Sequence, residues 1–173
     1  MDLHKIKLTY LSHIKIHIES PDHGSKLIRD FADRWFAYYK KGPFLKKTNS
    51  DRWFNGLNAI KLNDMERDGL LQMHFISKNA LEAINQKLNV GLVKDHSVPI
   101  KILHNLLIGE EFQSLELLEK FLLKYYTLGV ITHEEHKILD QLKLKHKMPH
   151  DWDGINVFAR YEKAGIQKAD ISV

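Results

Sequence analysis

The chain has no cysteine among its 173 residues. Disulfide bridges, cysteine nucleophiles and thiolate-ligated zinc or iron–sulfur sites are therefore excluded. Any metal site has to be built from histidine, aspartate and glutamate. No apolar run approaches the roughly 20 residues that a membrane-spanning helix needs, and the N-terminus lacks the basic-then-apolar layout of a secretory signal. These absences favour a cytoplasmic protein with no membrane partner.

Several catalytic motifs are also missing. The sequence contains no Gly-x-Ser-x-Gly nucleophile elbow, no Gly-x-x-x-x-Gly-Lys phosphate loop and no Gly-x-Gly-x-x-Gly fingerprint. The leucine-rich runs at 103–107 and 115–123 do not sustain the heptads of a coiled coil. Because internal repeats, low-complexity tracts and long linkers are absent as well, we expect one globular domain over residues 1–173.

Positive charge is concentrated in the first half of the chain. Residues 1–90 carry 15 Lys and Arg against 10 Asp and Glu, a balance of +5, whereas residues 91–173 carry 11 against 12, a balance of −1. A basic half of this kind favours nucleic acid or an acidic partner. Five cations between positions 40 and 52 are the expected contacts to DNA or RNA phosphates: Lys40, Lys41, Lys46, Lys47 and Arg52.

Hydrophobic periodicity predicts an α+β fold that is predominantly helical. Helical stripes recur in five segments: 25–39, 77–88, 99–107, 114–126 and 132–142. The near-neutral half, 91–173, is accordingly expected to be mostly helical. Residues 5–19 alternate apolar and polar side chains, which favours a strand in a small sheet of the N-terminal half. The same residues also fit one broad face of a helix, and a helix there would make the protein close to all-α.

The segment of greatest chemical interest is Asp95-His96-Ser97-Val98-Pro99, at a predicted boundary between a strand and a helix. It is similar to the first-histidine segment of the His-Asn-His (ββα-metal) nucleases. This resemblance implies that His96 acts as a general base and that Asp95 ligates a divalent metal such as Mg²⁺ or Mn²⁺. Beyond Pro99 the chain departs from that family, since only His104 and Asn105 remain as later ligands. The alternative is a structural pair that braces the following helix.

A second candidate for metal binding lies near the C-terminus. His150, Asp151 and Asp153 follow Pro149 in a predicted loop, and mixed nitrogen and oxygen ligands suit a divalent ion. The same residues also fit a solvated turn in which an aspartate caps the last helix.

The leading hypothesis is a protein that interacts with DNA or RNA. Its catalytic version is a metal-dependent phosphodiesterase or nuclease that uses Asp95 and His96. The alternative is a non-catalytic helical module, in which the apolar face of residues 114–126 or 132–142 docks a partner protein or forms a homo-oligomer.

Overall fold

The computed structural model describes residues 2–21, 24–39 and 57–170. Within these ranges the chain forms eight α-helices and a four-stranded sheet, which confirms the predominantly helical α+β fold. The helices are α1 (Leu3–Glu19), α2 (Ser25–Tyr39), α3 (Asp64–Leu70), α4 (Lys78–Asn85), α5 (Ile100–Ile108), α6 (Leu115–Tyr125), α7 (His133–Gln141) and α8 (Ala159–Lys163). The strands are β1 (Leu57–Asn58), β2 (Phe75–Ile76), β3 (Gly91–His96) and β4 (Leu128–Thr132). None of the described helices combines the length and the apolar character needed to cross a membrane.

Residues 5–19 are helical, so the predicted strand at this position is wrong. The buried side chains are Leu11, Ile14 and Ile18, whose spacing of three and four is that of one helix face. A strand would bury Ile16 together with Ile14 and Ile18, but Ile16 is 67% exposed. Packing against a helical stripe therefore outweighs the preference of isoleucine for strands.

The sheet has the strand order β1-β3-β4-β2. β3 pairs antiparallel with both β1 and β4, and β2 pairs parallel with β4. These strands come from both halves of the chain rather than from the N-terminal half alone, and they keep the fold α+β although residues 5–19 are helical. β4 has no counterpart among the sequence predictions. All five of its residues are buried, and a continuous apolar run lacks the alternation that identifies a strand.

The sheet separates two clusters of buried side chains. On one face, Leu92 of β3 and Val130 of β4 belong to the larger cluster, which also contains side chains of α1, α2, α5 and α6. On the other face, Ile131 of β4 packs with Leu139 of α7 and Tyr161 of α8. Successive side chains of β3 and β4 therefore enter different clusters, as the alternation of a strand requires.

The capping box predicted at Thr132 is present and buried. The Thr132 hydroxyl accepts a hydrogen bond from the backbone N–H of Glu135 at 3.2 Å, and the Glu135 carboxylate accepts one from the backbone N–H of Thr132 at 2.8 Å. The same carboxylate accepts hydrogen bonds from the Ser77 hydroxyl at 2.6 Å and from the Asn79 amide at 3.0 Å. Because Ser77 caps α4, Glu135 joins the first turns of α4 and α7.

Replacing Glu135 with Ala should lower the free energy of unfolding by about 2–4 kcal/mol, because buried donors in two helix caps lose their acceptor. Urea unfolding measures the change. The matched control is Glu134→Ala: that side chain is exposed, pairs with Lys137 on the same helix, and should contribute less than about 1 kcal/mol. Equal losses in the two variants would contradict the assigned role of Glu135.

Candidate active site

Asp95 and His96, the predicted catalytic pair, point to opposite faces of the sheet. They are neighbours on β3, and successive side chains of a strand alternate between its faces. Asp95 contacts Arg160 and Tyr161 of α8, whereas His96 contacts Asp33 of α2. The two residues therefore belong to separate polar clusters.

Arg160 is the centre of the cluster around Asp95, and its side chain is fully buried. A buried guanidinium is stable only when its charge and its five N–H groups are matched. The acceptors are the Asp95 carboxylate, the His96 carbonyl, and the carbonyl oxygens of Ser97 at 2.8 Å, Leu144 at 3.0 Å and Lys145 at 3.1 Å. Asp95 and Arg160 thus tie the end of β3 to α8 rather than to α5, the helix after Pro99 that a structural pair is expected from the sequence to brace.

Tyr161 reaches Asp95 across Gly129, the residue of β4 that pairs with Asp95. The Tyr161 hydroxyl donates a hydrogen bond to the Asp95 carboxylate at 2.9 Å. A Cβ atom on residue 129 would lie 2.8 Å from that hydroxyl, so glycine is needed for the close approach of the ring. Burial and the charge of Asp95 raise the pKa of Tyr161 well above its ordinary value, and the hydroxyl therefore remains a donor.

His96 lies in a second cluster, whose centre is Asp33. The Asp33 carboxylate lies 3.3 Å from His96 Nε2 and 3.6 Å from Lys94 Nζ. It also accepts a hydrogen bond from the hydroxyl of Tyr126, the residue that follows α6. Lys94 and His96 are two residues apart on β3, so both point to the face of the sheet on which α2 lies. Three donors, two on β3 and one directly after α6, thus converge on one carboxylate of α2.

The charges of this cluster keep Asp33 ionised. Burial alone would raise the pKa of Asp33, but the Lys94 ammonium and the hydrogen bonds from His96 and Tyr126 outweigh burial and hold it well below its ordinary value. Burial lowers the pKa of Lys94, and attraction to Asp33 offsets part of this effect. Burial and the Asp33 charge raise the pKa of Tyr126, which therefore stays a donor.

An ionised Asp33 determines which nitrogen of His96 carries the proton. A carboxylate only accepts hydrogen bonds, so the proton between the two groups resides on Nε2. In the neutral ring the lone pair is then on Nδ1, for which the described residues provide no hydrogen-bond partner. The His96 side chain is 12% exposed, so the ring is accessible to solvent. A histidine oriented by a carboxylate, with one open nitrogen, has the arrangement of a general base.

Aromatic rings surround the pair formed by Asp33 and His96. The Tyr126 ring stands edge-on to the His96 ring, with centroids 5.4 Å apart. Trp35 and Phe36 pack against Tyr126 with centroids 6.1 and 5.7 Å away, and all three rings are buried. An apolar surrounding of this kind strengthens the attraction between a carboxylate and an imidazolium.

His150, Asp151 and Asp153 are exposed in the segment between α7 and α8. Asp153 accepts hydrogen bonds from the backbone N–H groups two and three residues further along, at 2.7 and 3.0 Å, as in the turn that the sequence also allows. It does not cap the last helix, because α8 begins after Phe158 and has no side-chain cap. In the part of the chain that the structure describes, no three His, Asp or Glu side chains are grouped as metal ligands. The metal-binding role of these residues and of Asp95, and a Mg²⁺ or Mn²⁺ cofactor, stay predictions.

The five cations predicted to contact nucleic acid lie outside the described residues, so their role also stays a prediction: Lys40, Lys41, Lys46, Lys47 and Arg52. In the sequence they connect α2, which carries Asp33, with β1, which pairs with β3.

The helix faces predicted to dock a partner pack largely against this chain's own core. Leu118 and Leu122 of α6 and Leu139 of α7 are fully buried. The apolar side chains that remain exposed in these segments are Leu117, Leu123, Ile138 and Leu142. A partner protein or a homo-oligomer stays a prediction.

No sequence pattern predicts that Asp33 and Tyr126 belong to this site, because they are 93 positions apart and only the tertiary fold brings them together. The position of Lys94 can be predicted from the sequence. Lys94 is two residues from both Leu92 and His96 in a segment predicted to be a strand, so its side chain is expected on the face that buries Leu92.

Comparison of the chain with protein-family models, with curated proteins and with solved structures gave no match. The two polar clusters are therefore interpreted from their own geometry.

Replacing Asp33 with Asn should lower the free energy of unfolding at pH 7 by about 2–4 kcal/mol. The variant loses the carboxylate that lies 3.6 Å from the buried Lys94 ammonium. Chemical denaturation measures the loss. The control is Asp30→Asn on the same helix, because the Asp30 side chain is about half exposed and pairs with Arg29 at 3.2 Å; its effect should stay below about 1 kcal/mol.

The stability that Asp33 provides should also depend on pH. Its pKa is lower in the folded protein than in the unfolded chain, so the contribution is complete above about pH 4 and is lost as the pH falls below that value. The difference in stability between the wild-type protein and Asp33→Asn should therefore shrink between about pH 5 and pH 3. A difference that stays constant over this interval would mean that folding leaves the pKa of Asp33 unchanged, and a difference that grows as the pH falls would mean that folding raises it.

Proposed function

We propose that this protein cleaves phosphodiester bonds of nucleic acid and that His96 is its acid–base residue. The observation that carries the proposal is the pair in which Asp33 engages Nε2 of His96, a partly exposed side chain whose Nδ1 has no hydrogen-bond partner among the described residues. In such a pair the histidine takes a proton from the nucleophile, and the carboxylate stabilises the imidazolium that results. The acid partner in this proposal is Asp33 rather than Asp95.

The distribution of charge supports nucleic acid as the substrate. The first 90 residues carry the excess of +5, and five of their cations lie between positions 40 and 52. Lysine and arginine contacts to phosphates provide most of the affinity of nucleic-acid-binding proteins. In the sequence, this basic segment directly follows the helix that carries Asp33.

Lys94 and Tyr126 act in this proposal as positioning residues. The Lys94 side chain is only 3% exposed, and Tyr126 is buried, so neither reaches a polymeric substrate. Both stabilise the ionised form of Asp33, and Asp33 in turn orients His96. The reacting proton is handled by His96 alone.

Replacing His96 with Gln should lower the rate of cleavage by about 10²–10⁴-fold. Glutamine retains an N–H donor for Asp33 but provides no base. The assay uses labelled single- and double-stranded DNA and RNA, each with Mg²⁺, with Mn²⁺ and with a chelator. The matched control is His136→Gln, which removes a partly buried histidine on the Asp95 side of the sheet. Cleavage at the wild-type rate by the His96 variant would overturn the proposal.

Asp33→Asn should lower kcat on the order of 10²-fold and leave KM nearly unchanged, because Asp33 acts on His96 and does not touch the substrate. Steady-state kinetics of the variant, with Asp30→Asn as its control, separate the two parameters. An unchanged kcat would remove Asp33 from the mechanism. A higher KM at unchanged kcat would instead assign Asp33 to substrate binding.

A further inference from the structure

Asp33 and His96 can hold and move a proton, and proton transfer is sufficient to cleave one class of nucleic acid. In RNA the 2′-hydroxyl adjoins the phosphate, so the nucleophile is part of the substrate. A nucleophile held beside the reacting atom in this way reaches effective concentrations of up to about 10⁵–10⁸ M. DNA lacks this hydroxyl and needs a nucleophile from elsewhere.

We infer that the substrate of the His96 site is RNA, cleaved by attack of its own 2′-hydroxyl. This inference rests on the proposed function and adds to it the substrate class and the course of the reaction. The groups that converge at the site are an imidazole, a carboxylate, an ammonium and a phenol. All of them act by accepting, donating or balancing protons, which is the chemistry that activation of a hydroxyl requires.

The step uses one base and no redox chemistry. Nδ1 of His96 takes the proton of the 2′-hydroxyl, the 2′-oxygen forms a bond to phosphorus, and the bond from phosphorus to the 5′-oxygen of the next nucleotide breaks. The departing 5′-oxygen takes a proton from water, and His96 returns its own proton to the hydroxide that remains. The products are one end with a 2′,3′-cyclic phosphate and one end with a 5′-hydroxyl.

Asp33 and Lys94 have distinct parts in this step. The imidazolium that forms on His96 lies 3.3 Å from the Asp33 carboxylate, beside the buried Tyr126 ring, and the attraction is stronger there than in water. Before the proton arrives, the Lys94 ammonium 3.6 Å from Asp33 balances the charge of the carboxylate. Before the reaction Asp33 is therefore a stable carboxylate, and it can stabilise the imidazolium that forms when His96 takes up a proton.

The test compares three strands of one mixed sequence: RNA, fully 2′-O-methylated RNA and DNA. Each is incubated with the purified protein in EDTA and, in parallel, with Mg²⁺ and with Mn²⁺. The methylated strand keeps the geometry of RNA but has no free 2′-hydroxyl. We expect cleavage of the RNA only, with 2′,3′-cyclic phosphate and 5′-hydroxyl ends identified by mass spectrometry. His96→Gln should slow this cleavage by about 10²–10⁴-fold, and His136→Gln, purified in the same way, should not. Circular dichroism establishes that both variants are folded.

Two sets of results would overturn the inference, and they differ in what they leave standing. If cleavage depends on His96, three results would overturn the RNA chemistry and leave the proposed function intact. They are a requirement for Mg²⁺ or Mn²⁺, equal cleavage of DNA or methylated RNA, and products with a 5′-phosphate. No cleavage of any strand either in EDTA or with Mg²⁺ or Mn²⁺, or equal cleavage by wild-type protein and folded His96→Gln, would overturn both.

Discussion

Three consecutive polar residues on β3, from Lys94 to His96, constrain the rest of the structure. The strand is covered on both faces, so its alternating side chains place Lys94 and His96 among α2 and α6, and Asp95 beside α8. An uncompensated charge in such surroundings costs several kcal/mol. Asp33 and Arg160 therefore have to meet the strand from opposite sides, and they fix α2 and α8 relative to the sheet.

The two polar clusters differ in how completely their polar groups are paired. Every N–H of Arg160 has an acceptor, and Asp95 is held by both Arg160 and Tyr161. The N–H groups of Arg160 and the Asp95 carboxylate are therefore engaged within that cluster. The cluster of Asp33 ends in His96, whose Nδ1 has no hydrogen-bond partner among the described residues and whose side chain is partly exposed. This difference is why the proposed reaction is placed at His96.

The sequence predicts the local elements of this fold better than the site. Where a helix has a clear apolar stripe and a capping residue, residues close in the sequence determine it. The predicted helices α4 after Ser77 and α7 after Thr132 are of this kind and are confirmed. Residues 5–19 satisfy two periods at once, and only packing selects the helix. At the site, proximity in the sequence suggests that Asp95 and His96 act together, with Asp95 as metal ligand. Strand alternation places them on opposite faces, and the carboxylate that contacts His96 belongs to Asp33, 63 positions away.

The most direct test of this account is the protonation of the His96 ring, which NMR reads from the two nitrogen chemical shifts of ¹⁵N-labelled protein above neutral pH. The account predicts a ring protonated on Nε2 with a free lone pair on Nδ1, and loss of this preference in Asp33→Asn. A ring protonated on Nδ1, or one whose tautomer is unaffected by the loss of Asp33, would contradict the claim that Asp33 prepares His96 as a base.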